Sequence, residues 1–196
     1  FDYLEEKYGK LPANEQTLRN YVKYLKKSNQ LSLSSMSRHY KKVDELPYGK
    51  QMQLDFGEYT TDSGLKIYIF ASVLSASRFK FVSFQDKPFT TQCVIQHLLD
   101  CFDFCGGMVE ELVIDQDRVM VVSENKGDII FTKDFSYFIK EMDLKMYVCR
   151  KGDPESKGKI ENLIKFVKYN FLASRDFKDI DIAKESLFDW LQRRAN

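Results

Sequence analysis

Apolar and polar positions change rhythm along this chain: helical spacing near the start, alternation from Gln51, and then helical segments interleaved with short apolar strands. FDYLEEKY reads as a short amphipathic helix, broken from Gly9 to Pro12. Asn14 is placed to cap a second helix, EQTLRNYVKYLKK, with Leu18, Val22 and Leu25 on its inward side. Residues 31–46 are Ser-rich, then charged, and keep no period, which is the composition of a linker.

From Gln51 the period is two. In QMQLDFGEY, Met52, Leu54 and Phe56 share one face while Gln53 and Asp55 share the other. TTDSG turns the chain into a mostly apolar strand, LKIYIFASVL, and Ala76-Ser77 turn it again into RFKFVSF, an antiparallel meander. PFTTQCVIQHLLDCFDFC predicts a helix of about 15 residues, stopped by Gly106-Gly107. ELVID is short and apolar, as expected of a buried strand reached by a parallel crossover. VMVVSENKGDIIF reads as a hairpin-like insertion turning at Glu124 to Asp128; TKDFSYFIKEMD is a helix and LKMYVC a fifth strand. DIDIAKESLFDWLQRRAN closes the chain with an amphipathic helix carrying Trp190. Three strands, helix, strand, helix, strand, helix is the element order of the ribonuclease H-like fold, a mixed five-stranded sheet in the order 3-2-1-4-5 flanked by helices.

The helix over KGKIENLIKFVKYNFL, residues 157–172, organises the candidate chemistry. Ile160, Leu163, Ile164, Val167 and Phe171 form its apolar stripe, Ser156 is positioned as its N-cap, and Glu161, Lys165 and Lys168 share a second face. Alone, that face could be a solvated ion-pair surface. Asp55 and Asp115 change the reading, because each lies on or at the end of an apolar strand. In the 3-2-1-4-5 order strands one and four are neighbours, so the two aspartates stand together and the last helix brings Glu161 to the same edge. Three carboxylates offer the hard oxygen donors that Mg²⁺ or Mn²⁺ take. Glu58 and Asp86 read as solvated surface acids instead.

The chain has 196 residues, enough for one main domain with appendages, and its 43% hydrophobic and 30% charged content is that of a globular protein. No apolar run reaches membrane-spanning length and no signal peptide is visible. It opens on Phe1 rather than Met and so reads as a piece of a longer protein. The net charge of +1 is unevenly spread. Residues 1–50 carry ten Lys and Arg against six Asp and Glu, residues 51–149 nine against fifteen, and residues 150–196 eleven against eight. An acidic centre between basic flanks suits cation binding in the middle and a polyanion at the edges, although sums this small also arise from chance patchiness. A basic and amide face of Arg19, Asn20, Lys23, Lys26 and Lys27 on the second helix fits a DNA-reading helix-turn-helix or a plain helical hairpin, and Arg38, Lys41 and Lys42 could track a phosphate backbone. Cys93, His97, Cys101 and Cys105 step by four along one helix, spanning about 18 Å, too far to close on one ion. These cysteines and Cys149 read as small core residues in a reducing, cytoplasmic setting.

QLDFGEY, LVIDQDRVMVVSEN and CRKGDPESKGKIENLIKFVKYNF resemble the catalytic core of IstA-type insertion-sequence transposases, which are DDE transposases related to retroviral integrases. The resemblance runs over residues 1 to 175 and is strongest at KGKIEN. It implies Asp55, Asp115 and Glu161 as catalytic and metal-binding carboxylates. Gln116 stands where the family often has Asn, which leaves Asp117 as a rival to Asp115. It also implies a partial helix-turn-helix at 1–30 and an integrase core at 47–175, to which the residues themselves add the linker at 31–46 and a C-terminal helix at 176–196. The family's first DNA-binding unit and its small C-terminal barrel have no counterpart in the chain, and with only His39 and His97 there is no retroviral-type zinc module.

The implied activity is metal-dependent cleavage at transposon ends followed by transfer of the freed 3′-OH into target DNA. Two Mg²⁺ or Mn²⁺ ions about 3.5–4 Å apart would serve it, with no covalent protein intermediate. Lys157, Lys159, Lys165 and Lys168 are candidates for phosphate contacts, with Asn162 for DNA or water, beside Arg19, Lys23, Lys26 and Lys27 on the N-terminal helix. The implied partners are DNA, further copies of the chain on DNA and an AAA+ ATPase helper, in the bacterial cytoplasm at the nucleoid. A structure-selective nuclease of the same fold and a catalytically idle DNA-binding relic are the alternatives. Two histidines argue against a tyrosine recombinase.

Overall fold

In the computed structural model, residues 2–28, 45–125, 128–149 and 157–196 are described. The chain divides into two compact units, Phe1–Asp44 and Glu45–Asn196. In the first, α1 (Asp2–Tyr8) and α2 (Glu15–Lys27) form as the periodicity requires. Asn14 caps α2, its Oδ1 accepting from the Thr17 N–H at 2.8 Å. Neither helix contains a buried residue. Val22 and Leu25 are half-buried, but Leu18, expected inward with them, is exposed. Most of the expected linker, with Arg38, His39, Lys41 and Lys42, lies outside the described residues.

The second unit is built on a sheet of β1 (Gln51–Thr60), β2 (Lys66–Leu74), β3 (Lys80–Gln85), β4 (Glu111–Ile114) and β7 (Lys145–Val148). Their order is β3-β2-β1-β4-β7, the expected mixed five-stranded arrangement, with β7 as its fifth strand. The first three strands run antiparallel, while β4 pairs parallel to β1 and β7 parallel to β4. β5 (Val121–Asn125) and β6 (Asp128–Phe131) form a separate two-stranded hairpin, the expected insertion.

Helices cover both faces of the sheet. α3 (Thr91–Cys105) and α4 (Lys133–Glu141) bury Val94, Leu98, Phe102, Phe135 and Phe138 in one core with Met52, Leu54 and Phe70. Thr90 caps α3 and Gly106 ends it with φ at 76°, a left-handed stop that glycine adopts without strain. On the opposite face, α5 (Gly158–Phe166) and α6 (Ile180–Trp190) pack Ile160, Leu163, Ile164, Leu187 and Trp190 onto Ile67, Ile69, Val82 and Phe84. Two layers of helix around one sheet bury apolar side chains from both sides of β2, the reason that strand reads as almost continuously apolar.

The helix expected over 157–172 is regular only to Phe166. Val167–Leu172 continues it in wider turns, with the Ala173 N–H reaching back five residues to the Lys168 carbonyl at 2.8 Å. Widening shifts the apolar stripe, so that Val167, Phe171 and Leu172 are all fully buried. Arg175 closes the end, its guanidinium 4.6 Å from the centre of the Phe171 ring and bonded to the Phe171 carbonyl at 3.1 Å. α6 packs into the same core as α5 and belongs to the same unit.

Candidate active site

Strand register brings the two aspartates together. β1 and β4 pair in parallel as Met52 with Leu112 and Gln53 with Val113. Continued two residues, that register sets Asp55 level with Asp115, just past the end of β4. Met52, Leu54, Leu112 and Ile114 all point into the α3–α4 core. By alternation Gln53, Asp55, Val113 and Asp115 face the other way, toward α5.

β1 also positions α5. Lys157 occupies the capping position of this helix without a capping side-chain bond. The strand supplies one instead: buried Gln53 accepts from the Ile160 N–H through Oε1 at 3.2 Å. Four residues on, Gly57 lets the helix approach closely. A Cβ there would stand 3.2 Å from Ile164 Cγ2 and 3.4 Å from its Cδ1. Gln53, Asp55 and Gly57 are thus an anchor, a carboxylate and a gap on one strand face. Neither flanking role was foreseen; the only sequence signal was three non-apolar residues at alternate positions in an otherwise apolar strand.

Glu161 lies in the first turn of α5, where a carboxylate meets the positive end of the helix. Its side chain is exposed and its Oε2 is 3.8 Å from Lys165 Nζ. Asp55 is half-buried, with Oδ1 accepting from the Phe56 N–H at 2.8 Å. Burial pushes the Asp55 carboxyl above its ordinary range. The Phe56 N–H and the Lys157 charge oppose that rise, and the negative charges of Asp115 and Glu161 add to it. Asp55 therefore feels the charge of both other acids. Asp117, the rival second carboxylate, is engaged in a turn: its Oδ1 accepts from the Val119 N–H at 2.9 Å and its carbonyl from Val121 at 2.8 Å.

Two expected phosphate contacts prove to be turned inward. Lys157 is 6% exposed, with its ammonium against Asp115 Oδ2. Lys159 Nζ donates to the Ser75 carbonyl at 3.1 Å, tying α5 to the end of β2. Charge attraction accounts for the first and an unpaired strand-end carbonyl for the second. The helix starts at Gly158 with Lys157 as cap, not at the expected Ser156 cap, and Ser156 lies outside the described residues. Asn162 and Lys165 are exposed and Lys168 is half-buried. On α2, Lys23, Lys26 and Lys27 are exposed, and Arg19 is paired with Glu15 at 2.5 Å. Glu58 is ion-paired with Lys66 at 2.9 Å, and Asp86 is exposed, as expected of surface acids.

Among the described residues no group of three or more His, Cys, Asp or Glu side chains is close enough to hold a metal ion. Lys157 holds Asp115 and Glu161 leans toward Lys165, which accounts for the open arrangement. The donor set nevertheless fits a hard cation: Asp55, Asp115 and Glu161 offer carboxylate oxygens, and the buried Lys157 charge is set against Asp115 and acts on Asp55. The cysteines are thiols outside any disulfide, with Cys101 and Cys149 buried and Cys93 and Cys105 half-buried. His97 is spent on Ser83 and Gln85, both at 3.0 Å. No described helix is long and apolar enough to cross a membrane.

No protein-family model matches the chain. Over its whole length it is 40% identical to a transposase for an IS21-like insertion sequence element of Bacteroides fragilis, spanning 39% of that protein. It is 25% identical over 145 residues to the transposase of insertion sequence IS21 of Pseudomonas aeruginosa, covering 72% of this chain and 37% of that one. The chain thus spans less than half the length of these relatives. In fold it is similar to the HTLV-2 integrase catalytic core domain solved with magnesium (TM-score 0.54, 18% identity, 78% of this chain and 92% of that one). It is also similar to a chain of the simian T-cell lymphotropic virus intasome in complex with PP2A regulatory subunit B56 gamma (TM-score 0.59, 16% identity, 83% of this chain and 54% of that one). Along its full length the chain is thus similar to a transposase of an IS21-like insertion sequence, and its sheet has the fold of the integrase catalytic core.

Proposed function

We propose that this chain carries the catalytic core of a DDE transposase, a polynucleotidyl transferase that cuts DNA at transposon ends and joins the freed 3′-OH to target DNA. The observation that carries the proposal is the β1–β4 register, which supports Asp55 and Asp115 as side-by-side ligands beneath the helix of Glu161. Asp55, Asp115 and Glu161 would hold Mg²⁺ or Mn²⁺, two ions in the active complex. The chemistry supplied by cations held there would be activation of the attacking oxygen and stabilisation of the leaving oxygen of an in-line displacement.

The protein's own contribution is placement. Asp55 is fixed by burial and by the Phe56 N–H, whereas Asp115 keeps more than half of its side chain open to solvent and can accept a ligand. Glu161 is free to turn inward from Lys165, a weak exposed partner. Lys165, Lys168 and Asn162, on the outer side of the same helix, would meet the phosphates of the DNA end and hold the reacting bond in register. The α2 face of Arg19, Lys23, Lys26 and Lys27 would add phosphate contacts of its own, as a DNA-reading helix-turn-helix. The same reading includes assembly of several copies on DNA, an AAA+ ATPase helper and action in the bacterial cytoplasm at the nucleoid.

The test is cleavage and joining of labelled transposon-end DNA by the full-length protein with its helper and Mg²⁺. Asp55→Asn, Asp115→Asn and Glu161→Gln should each lower both steps by about a hundredfold or more with the fold preserved. Asp117→Asn should retain most of the activity. An active Asp115→Asn beside a dead Asp117→Asn would move the second carboxylate to Asp117. Cleavage without any joining would favour the structure-selective nuclease.

A further inference from the structure

Lys157 has no task in the chemistry described so far, and its position needs a reason. Its side chain is buried, its ammonium lies against Asp115, and its charge is felt at Asp55. Among the described residues it makes no well-directed hydrogen bond. Burying an ammonium is costly unless a charge compensates it. Its neighbour Lys159 shows what a purely structural lysine does here, donating to the Ser75 carbonyl in partial exposure. Lys157 instead stands where the reading above requires a cation. Its backbone carbonyl accepts from the Glu161 N–H at 3.1 Å, so it lies one helical turn before the third carboxylate.

We propose that Lys157 is a built-in stand-in for the divalent cation: its ammonium holds the acidic site together in the metal-free protein, competes with the metal for Asp115, and must swing out when the metal enters. This inference rests on Asp55, Asp115 and Glu161 being the metal site. It accounts for the open arrangement of the carboxylates. With Lys157 inside, the three acids need not converge, and Glu161 can rest on Lys165. Exchange of the ammonium for a divalent cation would vacate one Asp115 oxygen and remove one unit of negative charge from the Asp55–Asp115 pair, so that Glu161 is no longer repelled from it.

The experiment is a Mn²⁺ titration of the 196-residue chain, read by the electron paramagnetic resonance signal of the free ion and by thermal melting. Lys157→Met should bind Mn²⁺ on the order of tenfold more tightly than the unsubstituted protein, because a competing unit charge is gone. It should also melt lower without metal and recover when Mn²⁺ is added. Lys157→Arg keeps the charge and should bind no more tightly than the unsubstituted protein. Asp55→Asn and Asp115→Asn should lose Mn²⁺ binding; if they bind like the parent, the metal-site reading itself fails. If they lose binding while Lys157→Met and Lys157→Gln bind no tighter than the parent, the competition fails alone. Should Lys157→Met be unfolded without metal, refolding on Mn²⁺ addition supports the stand-in role. Failure of both neutral variants to refold with Mn²⁺ makes Lys157 a structural residue and overturns the proposal.

Discussion

Substituting Gly57 by Ala tests whether the close approach of β1 and α5 sets the site. The backbone at Gly57 is not in the left-handed region, so the new residue strains nothing locally. The added methyl meets Ile164 Cγ2 at 3.2 Å, Cδ1 at 3.4 Å and Ile69 Cδ1 at 3.6 Å. Carbon contacts are best at about 3.5–4.0 Å, so α5 or Ile164 must retreat by a few tenths of an ångström. Overpacking of this kind costs about 1–3 kcal/mol. Loss of glycine freedom in the unfolded chain returns about 0.4–1 kcal/mol, leaving a net loss between zero and about 2.6 kcal/mol. Urea unfolding would read that as a lower midpoint with an unchanged slope. Because Glu161 rides on α5 one turn before Ile164, Mn²⁺ affinity should fall with stability. Ile164→Leu, which removes the branch that clashes, should restore both in the double variant. A neutral Gly57→Ala with unchanged Mn²⁺ binding would refute the claim that this spacing positions Glu161.

Other substitutions probe the remaining parts of the account. Gln53→Leu leaves the Ile160 N–H at the start of α5 without its acceptor and should cost about 1–2 kcal/mol in chemical denaturation. His97 is held below its ordinary range chiefly by burial. Its protonated form is therefore disfavoured in the folded state; stability should be full above about pH 6.5 and decline as pH falls below it. His97→Gln should flatten that decline in melting curves taken between pH 7 and 5. Lys23→Ala with Lys26→Ala should weaken binding of a transposon end and reduce the log–log salt slope by about 1.8. Lys165→Ala or Lys168→Ala should reduce joining on bound complexes more than affinity. Equal losses of affinity and joining in both groups would remove the division of labour.

The sheet was legible because its strands carry their burial in their own alternation: Met52, Leu54 and Phe56 against Gln53 and Asp55 needed no tertiary information. The pairing of β1 with β4 was legible through the element order, which is that of a sheet in the order 3-2-1-4-5, with the short apolar ELVI run reached through a helix as in a parallel crossover. Three things could not be read from the sequence. The widening of α5 after Phe166 depends on how Phe171 and Leu172 share one core. The inward turn of Lys157 and Lys159 depends on which carboxylate or carbonyl lies opposite, and a lysine before a helix looks the same whether it meets solvent or an aspartate. Leu18 was expected inward on period alone, yet a periodic apolar stripe gives direction and says nothing of how much covers it.

The central claim is that Asp55, Asp115 and Glu161 form one cation centre. Anomalous scattering from crystals of the chain grown with DNA and Mn²⁺ tests it most directly. The account predicts a peak bonded to both Asp55 and Asp115, with Glu161 turned away from Lys165 toward the site and Lys157 withdrawn from Asp115. A peak bound to Asp117 or Glu58, with nothing between Asp55 and Asp115, would contradict it.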